Sequence, residues 1–417
     1  MSGLAAAPSA PIKLLLLIFA LAVIVRISFI HAVVGFDRGQ TNLTVLNGDE
    51  RDYTRRAENL LAGQGFTGGA PNDRMWRTPA YPLWLACLFL PYGRQLALVR
   101  LLHALLGGVV CVLIHAIARR VFDAPVATLS ALYFAFFPPH AYMAGQILSE
   151  NLLLPLVLLA TLQFLRMMER PSVASAACCG TLMGLTALTK PEAGGIAAAM
   201  LAVLWLGRTE QKRRLSAALV CCAALLAAPW LARNYKLSGR VVISSVGGEA
   251  FWGGNNSHVL DNPKFRGYWM APSDMPEQLK LVLAAPTELE QDRVRWRLGL
   301  DFLASHRADI PRLAAYKFRR FYSVMAQDRN ERVALILSFG LLLPFIAAGA
   351  VIHAWRFFRE RRGAAILIAI ILYYNLLAIV FWGANRMRLV IDPLLILFGL
   401  WAAWAFLRRV FHFPSET

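Results

Sequence analysis

Residues 96–117 read LALVRLLHALLGGVVCVLIHAI, with Arg119 and Arg120 just beyond. Coiled as an α-helix, such a run is about 33 Å long, enough for the roughly 30 Å hydrocarbon core of a bilayer. Its backbone N–H and C=O groups find no water there. They must pair within the segment, so the run is helical. The basic pair at its end fits the cytoplasmic side, where Lys and Arg collect beside spans.

Working outward, the pattern recurs at about Ile12–Val34, Pro125–Tyr142, Leu148–Met168, Ala174–Leu188, Gly194–Leu206, Ala217–Leu231, Val333–Trp355, Ala364–Trp382 and Leu389–Leu407, which brings the expected spans to ten. The first run is read as a retained membrane helix. It exceeds the usual apolar core of a cleaved leader, and Arg26 interrupts it. Pro82–Leu90 is too short to cross and is expected at the interface. The expected fold class is an all-α polytopic membrane protein, one domain over residues 1–417. It carries two polar segments, 35–78 and 233–330. From Pro286 to Met325 apolar residues recur at helical spacing among charges, so helices packed on the bundle are expected there.

Composition agrees. The chain is 58% hydrophobic and only 16% charged, whereas soluble domains are about 25% charged. Its formal charge of +18 would suit a nucleic-acid binder. The basic residues, however, cluster beside span ends: Arg119-Arg120, Arg166 to Arg170, Lys212-Arg213-Arg214, Arg359-Arg361-Arg362 and Arg408-Arg409. That pattern speaks for membrane lipids as partners and against nucleic acid. It also predicts both termini in the cytoplasm and both polar segments on the opposite face. Cys87, Cys111, Cys178, Cys179, Cys221 and Cys222 all lie in apolar runs, so neither a disulfide framework nor a CxxC metal pattern is present.

Residues able to do chemistry gather near the ends expected on the outer face. Gly48-Asp49-Glu50-Arg51-Asp52-Tyr53 opens a short helix, with acids in its first turn and Asp49 and Tyr53 on one face. Trp76-Arg77-Thr78-Pro79-Ala80-Tyr81-Pro82 places an arginine beside an apolar helix, either to hold a lipid phosphate or to anchor the interface. Ser149-Glu150 starts a span, where a carboxylate bordering hydrocarbon is a functional candidate. Lys190 is able to meet phosphate or to pair with Glu192. Pro229-Trp230-Leu231-Ala232-Arg233-Asn234-Tyr235 closes a span, and Gly247 to Asn256 is a glycine-rich stretch with exposed aromatics and amides, suited to a sugar or to a loop. Arg386 and Arg388 oppose both the helix dipole and the charge bias at the last span's start, so an anion or an acid is expected beside them.

The order of these motifs resembles the C-type (GT-C) superfamily of membrane glycosyltransferases, in particular the branch of lipid A aminoarabinose transferase and protein O-mannosyltransferases. It runs Asp49, Tyr53, Leu60 to Gly63, Arg77 to Pro82, Ser149-Glu150, Leu188 to Pro191, Pro229 to Tyr235, Gly254 to Asn256 and Arg386 to Pro393. The resemblance implies an inverting transfer of a sugar from a polyprenyl-phosphate donor to a lipid, glycan or protein acceptor, at the periplasmic face of a bacterial inner membrane. It implies Asp49 as catalytic base and Glu150 as the second catalytic acid, orienting the acceptor or a cation. It further implies Arg77, Lys190, Arg233, Arg386 and Arg388 as donor-phosphate ligands. Glu50, Tyr53, Tyr81, Asn255 and Asn256, in the same motifs, are expected to contact substrate. No cofactor is required by the resemblance. A divalent cation stays open, although Trp76 stands where some relatives carry a metal-binding acid. The extra C-terminal soluble domain of some relatives is not expected. The alternatives are a polymerase or ligase of lipid-linked oligosaccharide, and a flippase or transporter, which would show paired repeats and broken helices at mid-membrane.

Overall fold

The computed structural model describes residues 11–69, 73–207, 209–324, 335–360 and 364–411; the side chains of 356–360 are not described, so the Arg359-Arg361-Arg362 cluster lies outside the described residues. Every regular element among the described residues is a helix. The first half contains α1 (Ile12–Phe29), α2 (Gly48–Leu61), α3 (Ala80–Phe89), α4 (Leu96–Val121), α5 (Ala124–Ala135), α6 (Pro138–Ala144), α7 (Glu150–Glu169), α8 (Val173–Thr189), α9 (Ile196–Leu206) and α10 (Lys212–Ser238). The long polar segment folds as α11 (Gly247–Gly254), α12 (Ser257–Asp261), α13 (Pro276–Leu283), α14 (Glu288–Ser305) and α15 (Ile310–Phe321). Helices α16 (Leu343–Glu360), α17 (Ala365–Val380), α18 (Asn385–Arg388) and α19 (Asp392–Val410) follow.

Among the described residues six helices are long and apolar enough to cross a membrane: Ile12–Val34, Leu96–Val121, Glu150–Glu169, Lys212–Ser238, Leu335–Trp355 and Asp392–Val410. Five more are apolar but shorter, including α3, α5, α8 and α17. The protein is thus a multi-pass helical membrane protein. The span expected at Pro125–Tyr142 is two helices, with Phe136 and Phe137 between them. The apolar run gives way to Pro138-Pro139-His140 just after this break. Pro138 and Pro139 start a new helix there, because a first-turn N–H has no intrahelical partner to lose.

The main apolar core joins α1, α4, α5, α7, α8 and α19. Helices α8 and α10 touch through Gly180 and Gly184, where an added Cβ would collide with the carbonyls of Leu219 and Ala223. Small residues four apart allow such close approach. The helices of the polar segment bury Trp252, Val259, Leu260, Met270, Met275, Val282 and Leu313 among themselves.

Helix direction sorts the charges. Helix α7 begins at Glu150 and ends near Arg166, α8 returns to end beside Lys190, and α19 runs from Asp392 to Arg408-Arg409. The candidate acids therefore share one end of these helices, and the basic clusters share the other. At that second end Arg120 pairs with Glu169, and Arg408 with Asp123 at 3.4 Å.

Candidate active site

The site starts with a helix cap. Asn47 accepts the Glu50 N–H at 3.0 Å, and the Glu50 carboxylate accepts the Asn47 N–H at 3.1 Å, a reciprocal capping box. Glu50 also takes the Ile147 N–H at 2.8 Å and pairs with Arg38 at 3.1 Å. It is fully buried, so the substrate contact expected of it is not available. The cap leaves Asp49, one residue earlier, to point elsewhere.

Asp49 faces two guanidiniums. Its Oδ1 accepts from Arg77 Nη2 at 2.6 Å and its Oδ2 from Arg386 Nη1 at 2.7 Å. The Nε of Arg386 reaches Glu150 Oε1 at 2.7 Å. One guanidinium thus bridges the two acids. Lys190 Nζ lies 3.3 Å from the same Glu150 oxygen and 2.9 Å from Glu192. Arg77 Nε donates to Asp52 at 2.8 Å, and its guanidinium sits 5.0 Å over the Tyr53 ring. The Tyr53 hydroxyl shares a 3.0 Å hydrogen bond with Ser149 Oγ. Thr78 donates to the Thr189 carbonyl at 3.0 Å, which ties the Arg77 loop to the end of α8 beside Lys190.

Five separate segments therefore converge: the start of α2, the Arg77 loop, the starts of α7 and α18, and the end of α8. Glu150 is almost fully buried, with its side chain 3% exposed, whereas those of Asp49 and Arg386 are 30% and 34% exposed. The cluster is buried at the Glu150 side and open at the Asp49 side. Burial pushes the Asp49 carboxyl upward, but the Arg77 and Arg386 guanidiniums outweigh it and hold it well below the usual carboxylate range. Asp49 is therefore ionised and accepts only. Burial alone would lower the Arg386 guanidinium, but Glu150 and Asp49 raise it above its ordinary value.

The remaining expected residues stand apart from this cluster. Arg388 is fully buried and donates to Asp392 at 2.7 Å and to the Phe321 carbonyl at 3.0 Å. Its guanidinium carbon lies 3.7 Å from the Phe339 ring centroid. Where a donor phosphate was expected beside it, the structure places an acid four residues on inside the bundle, and its Nη2 is buried without a hydrogen-bond partner. Arg233 bonds the Arg74 carbonyl at 3.1 Å and stacks 4.5 Å over Trp230, outside the hydrogen-bonded cluster. Tyr81 is fully buried against His103 at 3.2 Å. Asn255 and Asn256, 1% and 2% exposed, hold backbone carbonyls of their own helix and of Val380. Exposed amides were expected in that stretch; the structure uses them internally. Asp52 was not singled out as a partner of Arg77. Its place one turn from Asp49 was the available signal, because residues three apart share a helix face. Among the described residues no group of three or more His, Cys, Asp or Glu side chains is arranged to hold a metal ion.

Residues 77–232 match the family described as dolichyl-phosphate-mannose-protein mannosyltransferase. No curated protein matches the chain. Among solved structures, the chain is similar to the oligosaccharyltransferase of Archaeoglobus fulgidus in its apo form, at 15% identity and a TM-score of 0.57 over 95% of this chain and 51% of that one. The same enzyme, AglB, in complex with an inhibitory peptide and a dolichol-phosphate, gives 15% identity and a TM-score of 0.54 over 95% and 50%. ArnT of Cupriavidus metallidurans bound to undecaprenyl phosphate is also similar, at 15% identity and a TM-score of 0.47 over 98% and 82%. The chain spans about half the length of the oligosaccharyltransferase. At 15% identity the likeness to the oligosaccharyltransferase speaks for architecture alone, and the chain shares that GT-C-like fold.

Proposed function

We propose that the protein is a glycosyltransferase that moves a sugar from a polyprenyl-phosphate donor to an acceptor, with inversion. The observation that carries this reading is Arg386 bridging Asp49 and Glu150, with Arg77 and Lys190 alongside. Four carboxylates, Asp49, Asp52, Glu150 and Glu192, pair with these three cations, so a donor phosphate binds by competing with them for the guanidiniums and the ammonium. The two bonds of Arg386 use two of its five N–H donors, and its side chain is partly exposed. Donors therefore remain for a phosphate oxygen.

The chemistry follows from charge. An acceptor O–H or N–H attacks the anomeric carbon, the bond from that carbon to the phosphate oxygen breaks, and the proton passes to Asp49. The departing polyprenyl phosphate gains one negative charge. Arg386, Arg77 and Lys190 stabilise it in a poorly hydrated pocket, where fixed cations act strongly. Without donor, Asp49 is a weak base, because two guanidiniums hold its proton affinity down. A bound phosphate competes for the same guanidiniums and so raises the basicity of Asp49 as the donor arrives. The basic clusters at the opposite ends of α7 and α19 support a cytoplasmic placement of that end. The site then lies at the periplasmic face of a bacterial inner membrane, with both termini in the cytoplasm.

The test is transfer in proteoliposomes, with lipid-linked sugars extracted from cells lacking the protein, beside binding of undecaprenyl phosphate alone. Asp49→Asn keeps carrier binding, and transfer falls about 10²–10⁴-fold, the usual loss of a general base. Full transfer by Asp49→Asn removes Asp49 from the reaction. Movement of the lipid-linked sugar across the bilayer without transfer marks a flippase instead.

A further inference from the structure

Glu288 begins α14 and is 7% exposed, far along the chain from the acid cluster. Its carboxylate accepts neutral donors: the Arg74 N–H at 3.0 Å, the Met75 N–H at 3.0 and 3.1 Å, and the Ser245 hydroxyl at 2.5 Å. The Ser245 N–H in turn reaches the Met75 carbonyl at 3.0 Å. Both polar backbone atoms of Met75 are thus held by the polar segment, Glu288 coming 213 positions later in the chain. The next residue, Trp76, lies under the Arg295 guanidinium at 5.2 Å. Arg77 follows.

A second buried basic group acts on the other side, its ammonium pushed down by burial to about 7. Lys317 is 1% exposed and donates to Asn255 Oδ1 at 2.7 Å, the Ile379 carbonyl at 3.1 Å and the Val380 carbonyl at 3.3 Å. These carbonyls belong to the last turn of α17, which lacks intrahelical donors and favours a cation. Gly383 N–H bonds the Gly267 carbonyl at 2.8 Å, and a Cβ on Gly254 or Gly383 would strike the facing backbone. The turn that leads into Arg386 is therefore clasped by the polar segment.

We infer that Glu288 and Lys317 are positioning residues that hold the backbones carrying Arg77 and Arg386, so that both guanidiniums meet Asp49. In functional terms this rests on the donor-phosphate reading of the cluster. Neither residue touches the cluster itself. Glutamine is the conservative replacement for Glu288: its carbonyl takes the Arg74 and Met75 N–H groups while its amide donates to Ser245 Oγ. Alanine leaves the buried Met75 N–H and the buried Ser245 hydroxyl without their acceptor.

The experiment is hydrogen–deuterium exchange on the full chain in detergent, without ligand, beside binding of undecaprenyl phosphate. In Glu288→Ala, exchange at 75–78 and along 48–61 quickens by about tenfold or more, since buried donors have lost their acceptor. In Glu288→Gln it stays near wild type. In Lys317→Met the quickening falls on 379–388 instead. Carrier affinity drops about tenfold in Glu288→Ala and Lys317→Met and is kept in Glu288→Gln. Where Glu288→Ala does not fold, Glu288→Asp, one methylene short of the Met75 N–H, makes the same comparison.

Unchanged exchange at 48–61 in Glu288→Ala overturns the inference, as does equal damage from alanine and glutamine. If the exchange pattern appears but wild-type protein does not bind undecaprenyl phosphate, the positioning stands and the donor reading falls.

Discussion

Replacing Arg388 with methionine separates a lock inside the bundle from a ligand for the donor. The guanidinium and its partner Asp392 are both fully buried and 2.7 Å apart. Removing one member of a buried pair costs about 3–5 kcal/mol, because the other charge stays behind without compensation. Two features favour the upper half of that range. The Phe321 carbonyl loses its 3.0 Å donor, and Phe339 loses the cation over its ring. About 4 kcal/mol is nearly a thousandfold in the folding equilibrium. Replacing both members, as Arg388→Met with Asp392→Leu, removes the stranded charge and is expected to restore stability to wild type or above. The assay is unfolding of purified protein in mixed micelles titrated with SDS, followed by tryptophan fluorescence, with undecaprenyl phosphate binding measured on each variant. A single variant within about 1 kcal/mol of wild type, below the range for a broken buried pair, refutes the lock. A double variant that regains stability yet does not bind the carrier keeps the lock and assigns Arg388 a phosphate contact as well.

Three more perturbations probe other parts of the molecule. Burial first, and then neighbouring Glu288, raise the Asp292 carboxyl to about 6, against the lowering from the Gly248 N–H and Arg295. A group raised in the folded state stabilises fully below its unfolded value and loses that contribution as pH rises through about 6. Asp292→Asn should therefore stabilise the fold at pH 8 by about 1 kcal/mol after allowance for partial exposure, read as a higher thermal midpoint. The gain should vanish toward pH 4, and a pH-independent gain counts against the argument. Gly107→Ala places a Cβ against Arg26 inside the bundle and should destabilise by about 1–3 kcal/mol through overpacking. Adding Arg26→Leu should recover most of the loss in the same unfolding assay. Arg386→Lys keeps the charge but gives up the planar fork, so it cannot hold Asp49 and Glu150 in the same geometry. Carrier affinity in that variant should fall about tenfold, roughly the share of one charge-assisted hydrogen bond, while wild-type affinity would dismiss the bridge.

Much of the architecture was legible because membrane crossing imposes a length and a composition. The run quoted first, residues 96–117, lies inside α4. The break at Phe136-Phe137 is hidden by the overall length of the run 125–142, which suits one span; the signal for it is Pro138-Pro139-His140, two residues that start a helix and a polar ring. Within the site, motif order singled out Asp49, Glu150, Arg77, Lys190 and Arg386, which the structure brings within hydrogen-bonding or ion-pair reach of one another. Order cannot say which of two neighbouring residues faces the cluster. Asn47 and Glu50 stand at capping-box spacing, a readable sign that Glu50 serves its helix and Asp49 does not. Arg388 and Asp392 stand four apart, a readable ion pair that the charge argument for phosphate overrode. Glu288 and Lys317 left no such trace, because their partners, mostly backbone atoms, lie far away in the chain.

The Arg386–Asp49 contact closes over 337 residues, and that span has a consequence for biogenesis. A ribosome that has delivered everything up to α17 has inserted both carboxylates but not the guanidinium that joins them. The charge cluster is completed only when the segment carrying Arg386 has left the translocon. Premature stops before Arg386 that still allow the earlier helices to insert should therefore yield anchored protein in which Asp49 and Glu150 have lost their bridge.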